Sequence, residues 1–203
     1  MDSPSSAAVA AVVTDGRAFI NGERRWAVGG GRFDNLSPVD GRCLGEVARC
    51  DAADIDLAVS AARAAFDDRR WCGQPPAARK RVLLRFAELV LDHGDELALL
   101  ETLDMGKPIR YARSVDVNSA ANCIRWYAEA IDKVYGEIAP TGDHALALIT
   151  REPLGVVGVI VPWNFPINLS LVPLACIFAA GNRAMVKMSE NSRHVAALLI
   201  ERM

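Results

Sequence analysis

Apolar positions change their spacing along the chain, and each change marks a different kind of element. Residues 17–50 alternate short apolar runs, RAFINGERRW and GRFDNLSPVDGRCLGEVARC, with NG, GGG and DG turn signals. That pattern predicts a small antiparallel element of scaffold type. Helical spacing follows. Ile55, Ala58, Val59, Ala62, Ala65 and Phe66 share one stripe behind a capping Asp51 or Asp54. Pro75 and Pro76 open a second helix, with Val82, Leu83, Phe86, Leu89 and Val90 as its apolar face and His93-Gly94 as its end. Asp95 opens a third, DELALLETLDMGKP, which Gly106 and Pro108 stop. A fourth runs from about Val115 to Val134, with Ala120, Ile124, Tyr127, Ile131 and Val134 on one face. GEIAPTGDHALALITREP predicts a hairpin around a Pro140–Gly142 turn.

The last fifty residues are different. LGVVGVIVPWN is too apolar for a half-exposed strand and suits one covered on both faces, as in a parallel sheet. Pro162 ends it. Pro166 opens a helix and Gly181 closes it, with Pro173 inside and expected to kink or restart it. NRAMVKMSE predicts a second buried strand, and Asn191 or Ser192 caps a final helix, SRHVAALLIERM. Strand, helix, strand and helix make one βαβ unit of a doubly wound α/β fold, in which ligands bind beyond the carboxyl ends of the strands.

Two clusters fall at that edge: Pro162, Trp163, Asn164 and Phe165 after the first strand, and Lys187, Ser189 and Glu190 after the second. An acid at Glu190 is placed to accept hydrogen bonds from a ribose diol, with Lys187 on the same sugar or a phosphate. Read as residues alone, the two equally make a solvated surface pair. No G-x-G-x-x-G follows the first strand, so a bound pyrophosphate would be held in some other way.

Composition narrows the classes. The 203 residues, 51% apolar with a net charge of −2, fit one ordinary domain, or the larger part of one and the start of another. There is no basic excess for nucleic acid. Cys43, Cys50, Cys72, Cys123 and Cys176 are odd in number and form no CxxC pair, so free thiols in a reducing cytoplasm are expected. Cys176, within an apolar helix, reads as a buried inert thiol. His93, His144 and His194 lack ligand spacing, so no metal is expected. Met1–Val13 holds no Lys or Arg and reads as a loose tail rather than an export signal. Gly155–Asn182 is uncharged, yet Pro162, Asn164, Pro166, Asn168 and Pro173 interrupt it, which argues against a membrane span.

VPWNFP followed by AAGNRAMVKMSE resembles the aldehyde dehydrogenase superfamily, and so do LLETLDMGKPI, RWYAEAIDKVYGE and TREPLGVVGVIVPWNFP; the likeness covers residues 17–203. It implies a truncated aldehyde-dehydrogenase-like α/β chain. A tail at 1–16 would precede the N-terminal strands and helices of the NAD-binding domain at 17–135. An oligomerisation-type hairpin would occupy 136–153 and the first βαβα of the nucleotide sheet 154–203, with the catalytic domain absent. The implied reaction oxidises a small aldehyde to an acid with NAD through a cysteine thiohemiacetal. Asn164 resembles the residue whose amide stabilises the oxyanion, and Trp163 the one whose indole N–H reaches the cofactor pyrophosphate. Lys187 and Glu190 resemble the ribose-contacting pair, and Pro162 and Ser189 complete the cofactor-binding set. A carboxylate at 190 would repel a 2′-phosphate, so NAD is favoured over NADP.

The resemblance also implies that the nucleophilic cysteine and the glutamate base lie beyond Met203, that this chain alone is inactive, and that the full-length enzyme is a homo-oligomer. The alternative is a non-catalytic module that binds nucleotide weakly or pairs with an intact subunit. Met188 departs from the family, where many members have proline. Residues 95–153 resemble the γ-glutamyl-aminobutyraldehyde (polyamine-pathway) group, whereas GNRAMVKMSE resembles the coniferyl-aldehyde group.

Overall fold

Turn chemistry builds the N-terminal part. Asn21 and Gly22 both sit at positive φ, 55° and 83°, the conformation an Asn-Gly hairpin turn uses, and they join β1 (Ala18–Ile20) to β2 (Glu23–Arg25). β3 (Arg32–Leu36) pairs antiparallel with β4 (Cys43–Ala48), with a shift of register between Asn35 and Leu36. This computed structural model describes residues 15–202. Of the tail expected at 1–16, residues 1–14 lie outside the described residues, and the Gly16 carbonyl accepts the Ala48 N–H at 2.9 Å.

Both expected caps act on α1 (Ala52–Asp67). The Asp51 carboxylate accepts the Ala53 N–H at 2.9 Å, and Asp54 accepts the Asp51 N–H at 3.0 Å, a reciprocal capping box. Asp54 also accepts the Val28 N–H at 2.9 Å, which fixes the loop after β2 to the helix start. The predicted apolar stripe is only half-buried, and Val59 is exposed.

The core lies among the other helices. α2 (Pro76–Asp92) contributes Leu83, Phe86 and Val90, and α3 (Gly94–Met105) contributes Leu97 and Leu100. Gly106, at φ 76°, ends α3. A short turn at Ile109–Tyr111 and a π-helical turn at Ala112–Asp116 then lead into α4 (Val117–Ala130), which buries Ala120, Ala121 and Ile124. Two predicted face residues are exposed instead. Val82 precedes Leu83 by one residue, a rotation of about 100° off the stripe. Val134 follows a 3₁₀ turn, Ile131–Lys133, and is already extended.

β5 (Glu137–Ala139) and β6 (Ala147–Ile149) form the predicted hairpin, with Ile138 opposite Leu148 and both exposed. β7 (Val156–Val161), α5 (Pro166–Ala179) and β8 (Arg183–Met188) form the βαβ unit, and the two strands pair in parallel. The side chain of Asn182 accepts the Gly155 N–H at 2.9 Å, and the Gly155 carbonyl accepts the Arg183 N–H at 2.9 Å, so the crossover closes at its base. α5 docks Ile167 and Leu171 into the helical core.

Three expectations need correction here. Helix α5 does not restart at Pro173 but runs on through it; the carbonyl deprived of its donor is that of Leu169, a residue on the exposed side of the helix. Strand β7 is not covered on both faces, since Ile160 is 83% exposed; the sheet is two strands wide among the described residues. Finally, of the two caps expected for α6 (Arg193–Arg202), Asn191 or Ser192, the second does not serve, since the buried Ser192 hydroxyl has no partner. The N–H of Val195 donates instead to the buried carboxylate of Asp104 at 3.1 Å, from α3. No helix among the described residues is long and apolar enough to cross a membrane.

Candidate functional site

The register of the parallel pair brings the two predicted clusters to one edge. Val161 lies opposite Met188, so Pro162 and Ser189 leave the sheet side by side. Pro162, Trp163 and Asn164 then form an exposed turn, with Trp163 50% exposed. Among the described residues nothing takes the Trp163 indole N–H or the Asn164 amide in a hydrogen bond, so both donors face solvent. Phe165 ends the turn as the N-cap of α5 and supplies no side-chain cap, while Pro166 occupies the first helical position. The first turn of α5 thus carries no side-chain cap.

On the neighbouring strand end, Lys187 Nζ lies 3.2 Å from Glu190 Oε2, and both side chains are largely exposed. The Glu190 carboxyl is held below its usual range, first by its own backbone N–H and then by Lys187. The Ser189 hydroxyl accepts the Asn191 N–H at 3.3 Å. Lys187, Ser189 and Glu190 line one open groove, whose floor includes Ile55, Ala58 and Ala62 of α1. Pro162, Trp163 and Asn164 do not line it; they stand on the adjoining strand end. Met188 places its sulfur 3.3 Å from the Ser170 hydroxyl of α5.

Behind the turn lies a charged cluster that the sequence reading did not single out. Glu101 of α3 and Asp116 of the π turn are fully buried. Lys107 bridges them, bonding to Asp116 Oδ2 and lying 3.5 Å from Glu101 Oε1. Its ammonium also sits 3.9 Å from the centre of the Phe165 ring, within cation–π range. Asn168 of α5 donates to the Asp116 backbone carbonyl at 3.2 Å. Burial and the neighbouring Asp116 push the Glu101 carboxyl up to about 8, against the pull of Lys107. The signal in the sequence was two acids, Glu101 and Asp104, inside the largely apolar LALLETLDM. An acid on the buried side of a helix requires a partner.

The other titratable groups fall into place as packing. His194, read as isolated, is buried, with Nδ1 on Asp104 and 3.2 Å from the Asn35 amide. Cys176 is exposed rather than buried, because its position on α5 turns away from the core. It lies beside the hydroxyl of Tyr127, whose ionisation it makes harder. Burial pushes the Cys123 thiol up, and burial with Asp54 and Asp51 does the same for Cys50. A nucleophilic thiol requires the opposite shift. Among the described residues no three His, Cys, Asp or Glu side chains are grouped to hold a metal ion.

The arrangement has close counterparts in known proteins. The NADP/NAD-dependent aldehyde dehydrogenase PuuC of Escherichia coli is 51% identical over 178 residues, 88% of this chain and 36% of PuuC. The crystal structure of gamma-glutamyl-gamma-aminobutyraldehyde dehydrogenase from Burkholderia cenocepacia superposes with a TM-score of 0.91 at 52% identity, over 97% of this chain and 41% of that one. An indole-3-acetaldehyde dehydrogenase complexed with NAD+ gives a TM-score of 0.88 at 49% identity, over 93% and 39% of the two chains. The chain therefore spans well under half the length of these relatives. The family model that matches covers residues 26–203, including both strand-end clusters and the helices beneath them, and on that match the chain belongs to the aldehyde dehydrogenase family.

Proposed function

We propose that this chain forms the cofactor-side part of an NAD-dependent aldehyde dehydrogenase. The observation that carries the reading is the pairing of Val161 with Met188, which sets the Pro162–Phe165 turn beside the Lys187–Glu190 segment at the carboxyl edge of the sheet. A dinucleotide asks for acceptors at a sugar diol and donors at a pyrophosphate. Glu190, ionised and exposed, supplies the first, with Lys187 beside it. The Trp163 indole N–H and the uncapped first turn of α5 supply the second, flanked by Pro162 and Ser189. The residues present fit the group. NAD, when bound, accepts the hydride released from the aldehyde carbon. Asn164 has the donor needed to hold the aldehyde oxygen as it gains negative charge; such a donor is worth about 100-fold or more in kcat. None of the five thiols of this chain takes the nucleophile's part in this reading.

The carboxylate of Glu190 favours NAD over NADP, whose 2′-phosphate would lie against it. Five free thiols support a reducing, cytoplasmic setting. The exposed pair Ile138 and Leu148 supports homo-oligomer formation through the β5–β6 hairpin. The reading is tested by titrating NAD and NADP into the chain by calorimetry. NAD binding that Glu190→Gln weakens, with discrimination against NADP reduced, is expected. NAD heats indistinguishable from buffer, or NADP preferred by the unaltered chain, overturn it.

A further inference from the structure

We propose that Glu101 and Asp116 share one proton, and that this protonated pair, held by Lys107, positions the Pro162–Phe165 turn. The geometry leaves one oxygen of each carboxyl without a partner. Lys107 serves Glu101 Oε1 and Asp116 Oδ2, while Glu101 Oε2 and Asp116 Oδ1 are buried and meet no donor. One ammonium reaches both groups, so the two carboxyls are neighbours. Two ionised carboxylates facing each other in a dry interior would repel, and each free oxygen would lack the hydrogen bond that burial demands. A single proton removes both defects. It lets Glu101 donate to Asp116 and brings the trio of Glu101, Asp116 and Lys107 to zero net charge.

The trio is tied to the turn from two sides. The Lys107 ammonium lies against the Phe165 ring, and Asn168 holds the Asp116 carbonyl. Loss of the proton leaves one uncompensated negative charge beneath Phe165 and redraws the bonds of Lys107. Among the described residues, the charged groups on the neighbouring elements are engaged elsewhere. One turn along α3, Asp104 is engaged by His194 of α6. At the start of α3, Asp95 pairs with Arg113 of the π turn. Glu129 at the end of α4 pairs with Lys80 of α2, and α5 contains no charged residue.

The positioning half rests on the reading of that turn as the cofactor edge; the shared proton does not. The experiment is infrared spectroscopy of the chain in deuterated buffer from neutral to alkaline pH, alongside hydrogen exchange of peptides covering 162–170, corrected for intrinsic rates. The unaltered chain should show a carboxylic-acid carbonyl band at neutral pH that Glu101→Gln lacks. As alkali removes the band, protection of the 162–170 amides should fall by roughly tenfold or more. In Glu101→Gln, whose amide donates to Asp116 as the acid does, protection should stay constant. Absence of the band from the unaltered chain at neutral pH overturns the shared proton, whatever the variant does. Band loss with unchanged protection, or equal loss of protection in Glu101→Gln, overturns the positioning. Failure of NAD to bind bears on the cofactor reading alone, since neither measurement uses NAD.

Discussion

Removing the carboxylate of Asp104 should destabilise the chain more than any surface change. Asp104 is buried on α3, accepts the Val195 N–H at 3.1 Å and pairs with the buried ring of His194. Val195 is the third residue of α6, so this bond satisfies one of the amide donors that every helix start leaves open. Asp104→Ala deletes both bonds and strands the buried Val195 N–H, while the His194 ring nitrogen keeps the Asn35 amide 3.2 Å away. A hydrogen bond to a charged group contributes about 1.5–3 kcal/mol, and each buried donor left unpaired costs about 1–3 kcal/mol. The combined loss should be about 3–5 kcal/mol, as for other broken buried pairs, against a whole-domain stability of about 5–15 kcal/mol. Asp104→Asn keeps one acceptor for Val195 and should cost less than the alanine variant. Urea unfolding followed by circular dichroism measures both, the comparison resting on an unchanged slope. An alanine variant within about 1 kcal/mol of the unaltered chain would refute the argument that α3 caps α6.

Other outcomes follow from the same contacts. Glu101, raised from 4.5 to about 8 in the folded chain, stabilises fully below its unfolded value and loses that contribution as pH climbs to the folded one. Unfolding free energies from urea titrations should therefore fall across that window, by up to about 1.4 kcal/mol per pH unit, then level off, and Glu101→Gln should flatten the slope. Replacing both Ile138 and Leu148 by Lys should lower self-association in light scattering while changing stability by less than about 0.5 kcal/mol, since both are already exposed. The purified chain with NAD and a panel of aldehydes should form no NADH. Turnover that survives substitution of each cysteine would contradict the covalent route.

What the sequence made legible was whatever is encoded over a few residues. Asn21-Gly22, Asp51 with Asp54, Pro76 and Gly106 all act where they stand, so the turns and helix starts they predict are present. The β7–α5–β8 unit was readable because its apolar runs are short and bounded by Pro162, Pro166 and Gly181. Pro173 does not restart the helix, whose first turns are held by Ile167 and Leu171, one turn apart on the face packed into the core. Cys176 misled because an apolar helix still has an outer face. The Glu101, Lys107 and Asp116 cluster and the pairing of Asp104 with His194 were not readable, since each depends on a partner placed by tertiary structure. For Asp104 and His194 that partner is 90 residues away. The edge itself was readable only through topology: nothing near Pro162 names Ser189 as its neighbour until the strands pair.

The contact between Asn35 and His194 joins strand β3 to helix α6, 159 residues later. On a ribosome adding about 5–20 residues per second, Asn35 waits on the order of ten to thirty seconds for its partner to be made. The β3–β4 hairpin has local bonds and can form at once, yet Asn35 lacks its partner for that interval. Asp104 waits for the same helix. The α2–α4 core can assemble first around Leu83, Leu97 and Ile124, and α6 then arrives as the piece that locks the early strands onto it. Slowing translation between these points would lengthen the interval in which Asn35 lacks its partner.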